Sequence, residues 1–417
     1  MMVKAGAMYY AIFLSFIISL LSGLLILGVW YHHFHTTSLI QEMRMHRNIH
    51  SALLIAMESP DFISIGSTKS INLFDDSINN VNVTESLWGG YLLLRAKANW
   101  RHINYSRISL CGNDISMDDS IALYLSDNER YLSLSGSTLL KGNCYLPKLG
   151  IRRAYIEGLS YNREKLIYGL QKQSNSTLPP LSETVMKYIS NYLHNNILPG
   201  DSIANIDQLI RSDSISNSFF QKSLVFYSDH WITLSRKSIS GNIKIISKKG
   251  ITILNSVNTS DILLFAPKIE VEANFHANVQ IFATDTIQIG ERATFFFPSI
   301  IGLLENTCKK PLIKIGKNST ILGDVTLQST SSERQGISII DENTEIYGKV
   351  YCNGKVELKG KIYGSLFCEG FRLLTPTSLY ENNLLNATID FTKLPKYYSG
   401  SLIYSNSLHY KQIKWEK

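Results

Sequence analysis

The sequence predicts a mainly β protein: a single parallel β-solenoid (β-helix) with a helical insertion, preceded by one long N-terminal transmembrane and amphipathic α-helix. Three observations carry this prediction. Between Ile313 and Cys368, short apolar-x-apolar pairs alternate with glycine and a polar residue, and a short repeat of this kind is typical of a solenoid. Related pairs recur through residues 107–168 and 223–374. Residues 11–29 are almost entirely apolar, as a membrane-spanning helix requires.

Length and composition limit the function classes. The chain has 417 residues, of which 44% are hydrophobic and 18% charged, enough for two domains or for one solenoid with attachments. The formal charge of +7 is modest for this length. The densest basic run is interpreted as a solvated solenoid face, with an anionic lipid, glycan or nucleic acid as the alternative partner. It consists of Arg236, Lys237, Lys244, Lys248 and Lys249.

The first predicted domain, residues 1–57, is a membrane anchor. The apolar stretch from Ala11 to Val29 would span roughly 28 Å as a helix, about one hydrocarbon core. No A-x-A-like site follows the apolar stretch before Trp30, so the helix is expected to be retained and not cleaved as a secretory signal. Aromatic pairs flank the stretch on both sides, as they do at membrane interfaces; they are Tyr9, Tyr10, Trp30 and Tyr31.

The charges around this helix predict its orientation. Lys4 precedes the helix, and the next basic residue is Arg44. The positive-inside rule then favours a cytoplasmic N-terminus and an exported, periplasmic or extracellular body. The histidines that follow the helix are interpreted as polar residues at the lipid headgroups, with a metal or pH-sensing site as the alternative. They are His32, His33 and His35.

The helical pattern continues beyond the membrane as an amphipathic segment that ends before Pro60. Its apolar stripe consists of Leu39, Ile40, Met43, Ile49, Leu53, Ala56 and Met57. This helix resembles the first helix of type IV pilins and minor pseudopilins, and the leader from Met1 to Gly6 resembles their short charged leader ending in glycine. The chain has Ala11 where most pilins carry glutamate, and some minor pseudopilins also lack that glutamate. The resemblance implies cleavage after Gly6 and assembly into an envelope filament.

Residues 58–168 are predicted to connect the helix to the first solenoid rungs, which begin near Ile108. Cys111 and Cys144 are interpreted either as a disulfide of an exported body or as two buried thiols. Asp118 and Asp119 are adjacent carboxylates, a residue type that binds calcium or performs acid–base chemistry. Adjacent strand residues point to opposite faces, so no site is assigned to them.

Residues 169–222 break the strand pattern and predict a helical insertion that projects from the side of the solenoid. Pro179 and Pro180 lie in a polar, linker-like stretch. Ser182 is a suitable N-cap for a helix that continues to Leu193. Because the insertion interrupts the repeat, it is the expected location of a partner site.

The main solenoid is predicted over residues 223–374, with turns of roughly 16 to 25 residues that stack their apolar side chains. Cys352 and Cys368 are sixteen residues apart, so they are expected to stack as two thiols or as a disulfide. Residues 348–370 resemble the bactofilin-type, polymer-forming β-helix, which implies fold and not function. The aromatic tail, residues 375–417, is interpreted as a cap on the last rung, with an aromatic surface for glycan or protein partners as the alternative.

Motif analysis assigns no catalytic residue, no cofactor-binding residue and no metal ligand. Asp229 and His230 form the only compact Asp-His pair, and no nucleophile is placed beside them in the sequence. The sequence therefore predicts a membrane-anchored, non-enzymatic structural or assembly protein of the bacterial cell envelope, in its more specific form a minor pilin-like subunit of a secretion or uptake filament. Its expected partners are the lipid bilayer and proteins of an envelope assembly, with no nucleic acid and no small-molecule substrate. The alternative is a β-helix carbohydrate-active enzyme or glycan-binding surface protein.

Overall fold

The protein is described here by a computed structural model, which covers residues 5–60, 62–73, 80–101, 103–115, 120–304, 308, 310–329, 336–404 and 409–416. It is mainly β, with 49% strand and 19% helix. Three α-helices are present in this part of the chain, α1 (Ala5–Glu58), α2 (Glu183–Leu193) and α3 (Ile206–Arg211), together with a short 3-10 helix, Phe391–Lys393. The long N-terminal helix predicted from the sequence is therefore confirmed.

An antiparallel sheet follows α1 along the chain. It contains β1 (Thr68–Asn72), β2 (Asn80–Trp88), β3 (Tyr91–Trp100) and β4 (Ile103–Asn113), and its outer strand is the last strand of the chain, Tyr410–Glu416, numbered β31. The strand order is β1-β2-β3-β4-β31 and every pair is antiparallel.

This sheet corrects the prediction that solenoid rungs begin near Ile108. That residue lies in β4, where it pairs with Arg95 of β3. Only two residues separate β3 from β4, a connection that joins antiparallel strands and is too short for a parallel crossover. An antiparallel sheet strand and a parallel solenoid strand show the same alternating apolar pattern, so the pattern of β4 did not distinguish between the two.

The remaining strands form a second body, which is called here the parallel stack. Its strands in the first part of the chain are β5 (Ile121–Leu125), β6 (Leu132–Ser135), β7 (Leu139–Lys141), β8 (Asn143–Leu146), β9 (Ile151–Arg153), β10 (Tyr155–Ile156), β11 (Leu159–Ser160) and β12 (Gln171–Gln173). The strands from the middle of the chain are β13 (Ser202–Ala204), β14 (Ser214–Asn217), β15 (Leu224–Ser228), β16 (Ile232–Leu234), β17 (Ser238–Ser247), β18 (Ile251–Ile253), β19 (Asn258–Val271), β20 (His276–Ala277), β21 (Gln280–Ile289) and β22 (Thr294–Leu303). The last strands are β23 (Leu312–Ile315), β24 (Thr320–Leu327), β25 (Gly336–Ile340), β26 (Glu345–Leu358), β27 (Lys361–Leu374), β28 (Leu379–Glu381), β29 (Asn383–Leu385) and β30 (Thr388–Asp390).

Successive turns of the stack pair in parallel, and equivalent residues face each other. Among the described strands, the exceptions are β10 and β11, which pair antiparallel with each other, and β28, which pairs antiparallel with β27. In one of the parallel pairs, Ile346 of β26 aligns with Ile362 of β27, and Cys352 aligns with Cys368, as the sixteen-residue spacing predicts. Both cysteines are buried and free, and so are Cys111 and Cys144. The last two thiols belong to different apolar clusters, which excludes the disulfide considered from the sequence.

The order of turns in space differs from their order in the chain. Strand β5 pairs in parallel with β27, so that Leu123 aligns with Leu366 and Tyr124 with Phe367. Residues 121–173 therefore lie beyond the last repeat of the stack, which corrects their assignment as its first rungs. Hydrophobic periodicity predicts which residues of a strand face a core, but it does not predict with which other strand that strand pairs.

The segment between residues 169 and 222 packs along the stack and does not project from it, contrary to the prediction. Its linker is held by tyrosine side chains on the outer face: the Tyr351 hydroxyl donates to the carbonyl of Pro179 at 3.2 Å, and the Tyr124 hydroxyl donates to that of Thr177 at 3.4 Å. The helix α2 buries Val185, Ile189 and Tyr192. These contacts return the chain to the opposite end of the stack, where α3 inserts Leu209 into the interior cluster.

The C-terminal tail contacts the last repeat with its first strands, and its end leaves the stack. Strands β28 to β30 pair with β27, β6 and β7, so the tail begins within the terminal turns. It then runs back, buries Tyr398 and Tyr404, and ends as β31 of the antiparallel sheet. The last repeat, β27, is therefore covered jointly by residues 121–125 and by the tail strands β28 and β30. Beyond these strands, the tail joins the stack to the sheet.

Candidate functional site

The helix α1 has two halves of opposite character. Nearly every side chain from Gly6 to Thr36 is exposed, and the apolar ones include Leu25, Ile26 and Trp30. The segment is long and apolar enough to cross a membrane. In the second half, one stripe is buried, consisting of Met45, Ile49, Ala52, Leu53, Ala56 and Met57. Leu39, Ile40 and Met43, which the sequence placed in the same stripe, are exposed.

The buried stripe packs on one face of the antiparallel sheet, against β2, β3, β4 and β31. On β3 the residues of this face are Leu92, Leu94, Ala96 and Ala98, all of which are buried. Small side chains on both sides, Ala52 and Ala56 on the helix and Ala96 and Ala98 on the strand, let the backbones approach closely. The sheet thereby holds α1 in a defined direction relative to the body.

Aromatic and basic side chains line the edge of this contact. The His46 ring lies 3.7 Å from that of Tyr105, and the His50 ring lies 6.0 Å from that of Trp415. The Arg107 guanidinium carbon lies 4.5 Å from the Trp415 ring. These contacts fix the register between the helix and the neighbouring strands β4 and β31.

Glu85 is the unexpected residue of the helix–sheet contact. It lies on β2 between the buried residues Val83 and Leu87, in the phase that faces α1, and its side chain is completely buried. Neither carboxyl oxygen has a hydrogen-bond partner among the described residues. Burial raises the pKa of Glu85 to about 8, because the charged form loses its hydration. Burial, together with the Glu85 charge, also contributes to a raised pKa of about 12 at the Cys111 thiol.

The opposite face of the antiparallel sheet is fastened to the outer face of the stack. The Gln280 side chain accepts a hydrogen bond from the backbone N–H of Gly90 at 2.9 Å and donates to the carbonyl of Trp88 at 3.2 Å. Asn113 Nδ2 donates to the carbonyl of Ser401 at 3.0 Å. These hydrogen bonds satisfy backbone N–H and C=O groups at the β2–β3 turn and in the tail. The sheet is therefore a middle layer between α1 and the stack.

A buried carboxylate reinforces this fastening. Asp324 of β24 is fully buried and accepts hydrogen bonds from the Tyr398 hydroxyl and from the backbone N–H groups of Lys349 and Ser401, the last two at 3.0 Å. The Lys349 ammonium lies 4.2 Å from the rings of both Phe367 and Tyr404. Burial raises the pKa of Asp324 against the effect of these donors, and lowers that of Lys349 to about 8. The group ties the tail to the stack.

A second buried charge pair fastens the end of α2. Lys244 Nζ of β17 lies 2.9 Å from Asp201 Oδ1, and the Tyr192 hydroxyl bonds to both residues. Both charged side chains are nearly inaccessible, at 4% and 7% exposure. Burial lowers the pKa of Lys244, and the Asp201 carboxylate opposes that effect.

Asp201→Asn is expected to lower the free energy of unfolding by about 3 kcal/mol, because it leaves the Lys244 ammonium buried without its counter-charge. The double variant Lys244→Met, Asp201→Leu is expected to recover most of that loss, since both buried charges are then absent. Urea denaturation checks both variants. The control is Glu342→Gln, which breaks an exposed pair with Lys317 and should lower the free energy of unfolding far less, because solvent screens exposed charges. Equal losses for the two single variants would contradict the assigned role.

A cleft of about 290 Å³ lies between the sheet and the stack. One wall is apolar, formed by Leu93, Ile108 and Leu110, and the other carries Ser216, Ser240 and Ser260 on successive strands. An ion pair between Lys414 and Asp261, at 2.6 Å, lies at its margin.

The structure separates the residues that the sequence grouped. Asp229 pairs with Lys248 at 2.6 Å and accepts from the Tyr227 hydroxyl, while the indole N–H of Trp231 donates to Thr252. The basic run is divided, since Lys244 is buried and Lys237 donates to two carbonyl groups near α3. Asp118 and Asp119 lie outside the described residues. In the described part of the chain, no group of three or more His, Cys, Asp or Glu side chains is placed to hold a metal ion.

Two features of the candidate site were missed from the sequence, the buried Glu85 and the buried Lys244–Asp201 pair. Glu85 carried a detectable signal, because it follows Val81 and Val83 at the apolar phase of a β-strand. The pair carried none, because its members are 43 residues apart and meet only in the folded chain. No protein-family model, curated protein or solved structure matches this chain.

Proposed function

We propose that this chain is a membrane-anchored, non-enzymatic structural or assembly subunit of the bacterial cell envelope, and that its specific form is a minor pilin-like subunit with a β-solenoid body. One observation carries the proposal. The helix α1 is continuous over 54 residues, exposes its apolar first half and buries one stripe of its second half on the body. The second half of α1 thus connects the anchor to the body through buried contacts, as a subunit that transmits its position from membrane to body requires.

The exposed half of α1 supports this proposal on energetic grounds. Large apolar side chains are exposed on all sides of it, among them Phe13, Leu20 and Leu27. A contiguous apolar surface of this size is not stable in water and marks a membrane or protein contact. Lipid covers it in the anchor, and the matching helices of other subunits cover it in a filament. The body then lies on the exported side, in accord with the positions of Lys4 and Arg44.

Two measurements on cells test the proposal. The full chain should remain in the membrane fraction after carbonate washing, and a C-terminal alkaline phosphatase fusion should be active. N-terminal sequencing should find Ala7 as the first residue of the mature chain. If the first residue is Met1, the pilin-like form fails and an ordinary anchor remains. An inactive phosphatase fusion together with carbonate extraction would overturn the proposal as a whole.

Gly6→Leu is expected to block this processing without disturbing the fold, because a Cβ at Gly6 meets nothing within 4 Å. The variant should keep residues 1–6 and migrate as the longer form. Gly28→Leu is the matched control: it is equally open and should be processed normally. Normal processing of both variants would show that Gly6 is not the recognised position.

A further inference from the structure

We propose that the tip of the β3–β4 hairpin, formed by Trp100 and Arg101, is a second membrane contact that binds the phosphate groups of anionic phospholipids where α1 leaves the bilayer. The inference rests on the proposed membrane anchoring of α1. The body would then contact the membrane directly, in addition to the anchor α1.

The contact is fixed by the position of the hairpin tip along α1. The guanidinium carbon of Arg101 lies 5.8 Å from the ring centroid of Phe34, and it also lies 4.7 Å from that of Trp100. The Phe34 ring in turn stacks on Trp30 at 5.7 Å. The hairpin therefore reaches α1 at Phe34, one helical turn after the tryptophan that ends the apolar stretch.

Helix geometry converts this position into a depth. Four residues separate Trp30 from Phe34, a rise of about 6 Å along the axis. The headgroup layer on each side of a bilayer is about 5 to 7 Å thick. If the hydrocarbon core ends near Val29, the Arg101 guanidinium lies at the level of the phosphate groups.

The side chains at this level are suited to that environment. Tryptophan prefers the membrane interface, where its apolar ring and its N–H group are both accommodated. Arginine forms paired hydrogen bonds with phosphate oxygens. Trp100 is half-buried and Arg101 is exposed. The two side chains therefore present an aromatic and a cationic group together.

Neighbouring charges favour an anionic surface. Arg44 and Arg47 are exposed on α1, and Lys97 is exposed on β3 close to the hairpin tip. Between residues 31 and 50, the only acidic side chain is Glu42. Basic groups beside a membrane are attracted to anionic lipids. The surface is therefore expected to bind anionic lipid in preference to zwitterionic lipid. Binding of the hairpin tip to another copy of this chain is the alternative that the experiment must distinguish.

Tryptophan quenching in the full chain tests the inference. The protein is reconstituted in phosphatidylcholine vesicles with or without 30% phosphatidylglycerol, and with a small fraction of headgroup-nitroxide lipid. Trp30→Phe and Trp100→Phe are compared with the unchanged chain. The control is Trp231→Phe, since Trp231 is also exposed but lies on the stack. Trp30→Phe and Trp100→Phe should each lose about a third or more of the lipid-dependent quenching, and Trp231→Phe should lose none.

Arg101→Gln should reduce the quenching attributable to Trp100 about twofold in vesicles that contain phosphatidylglycerol, and should have little effect in pure phosphatidylcholine. Loss of quenching in Trp30→Phe alone would overturn the hairpin contact and leave the anchor intact. No loss in either variant would overturn the anchor and with it the proposed function. Quenching of Trp100 that is independent of phosphatidylglycerol, or that appears only at high protein density, would reject the anionic lipid as ligand.

Discussion

Gly348→Val is expected to lower the free energy of unfolding by about 3 kcal/mol or more, placing it among the most damaging single substitutions. A Cβ built at Gly348 would lie 2.1 Å from the carbonyl oxygen of Gly323 on the preceding turn. The atom it meets belongs to the backbone, so no side-chain movement relieves the collision. The gain in strand propensity from valine is at most about 1 kcal/mol and does not offset it.

The collision recurs along a column of the stack. A Cβ at Gly364 would lie 2.0 Å from the oxygen of Gly348, and one at Gly323 would lie 1.9 Å from that of Ser299. The urea midpoint of each variant measures the effect. Gly400→Ala is the control, because its Cβ would meet its nearest neighbour at 3.4 Å, an ordinary contact. A midpoint for Gly348→Val equal to that of the control would contradict the close packing of this column.

Glu85→Gln is expected to raise the free energy of unfolding by about 3 to 5 kcal/mol above pH 8, and to change it little at pH 4. The ordinary pKa of a glutamate is 4.5, and in the folded protein burial raises it to about 8. Each pKa unit corresponds to about 1.4 kcal/mol. Glutamine keeps a similar shape and cannot ionise, so it removes the cost of a buried charge.

The sign of the pH dependence follows from proton binding. Between pH 4.5 and about 8, the unfolded chain has released the Glu85 proton and the folded chain still holds it. The free energy of unfolding therefore falls as pH rises through this window, and the stability contributed by the protonated form is complete only below it. In Glu85→Gln this contribution to the pH slope disappears, which urea denaturation at several pH values measures.

A buried glutamate that does have partners provides the contrast. Glu357 is 4% exposed and lies 3.0 Å from Lys359 and 3.9 Å from Arg372. Glu357→Gln should therefore destabilise the protein at neutral pH, the opposite sign to Glu85→Gln. Stabilisation by neither variant would indicate that the carboxyl group of Glu85 is hydrated in solution.

Several elements of the fold were predictable because their causes are local. The spacing of Ile49, Leu53 and Ala56 predicts one buried stripe, and these residues are buried. The sixteen-residue spacing of Cys352 and Cys368 predicts stacking, and they align on adjacent strands. In each case the signal is a periodicity within a few turns of chain, which local geometry converts directly into a face or a register.

The candidate site was less predictable because its parts are distant in the sequence. The exposed half of α1 was foreseen from hydropathy. The surface that receives its second half was not, since β4 has the same alternation as a solenoid strand and β31 comes from the far end of the chain. The contact between Arg101 and Phe34 joins residues 67 positions apart. No spacing rule relates them.

By itself, the sequence determined the long apolar helix, the predominance of β-structure and the stacking of the glycine-rich repeats, because each depends on the pattern of side chains along a short segment. Only the tertiary structure decided that residues 121–125 cover the last repeat, that residues 103–113 belong to a separate antiparallel sheet, and that the tail closes that sheet. It also decided that Glu85 is buried without a partner. These outcomes depend on which strand pairs with which across hundreds of residues, and strand alternation is the same for every candidate neighbour.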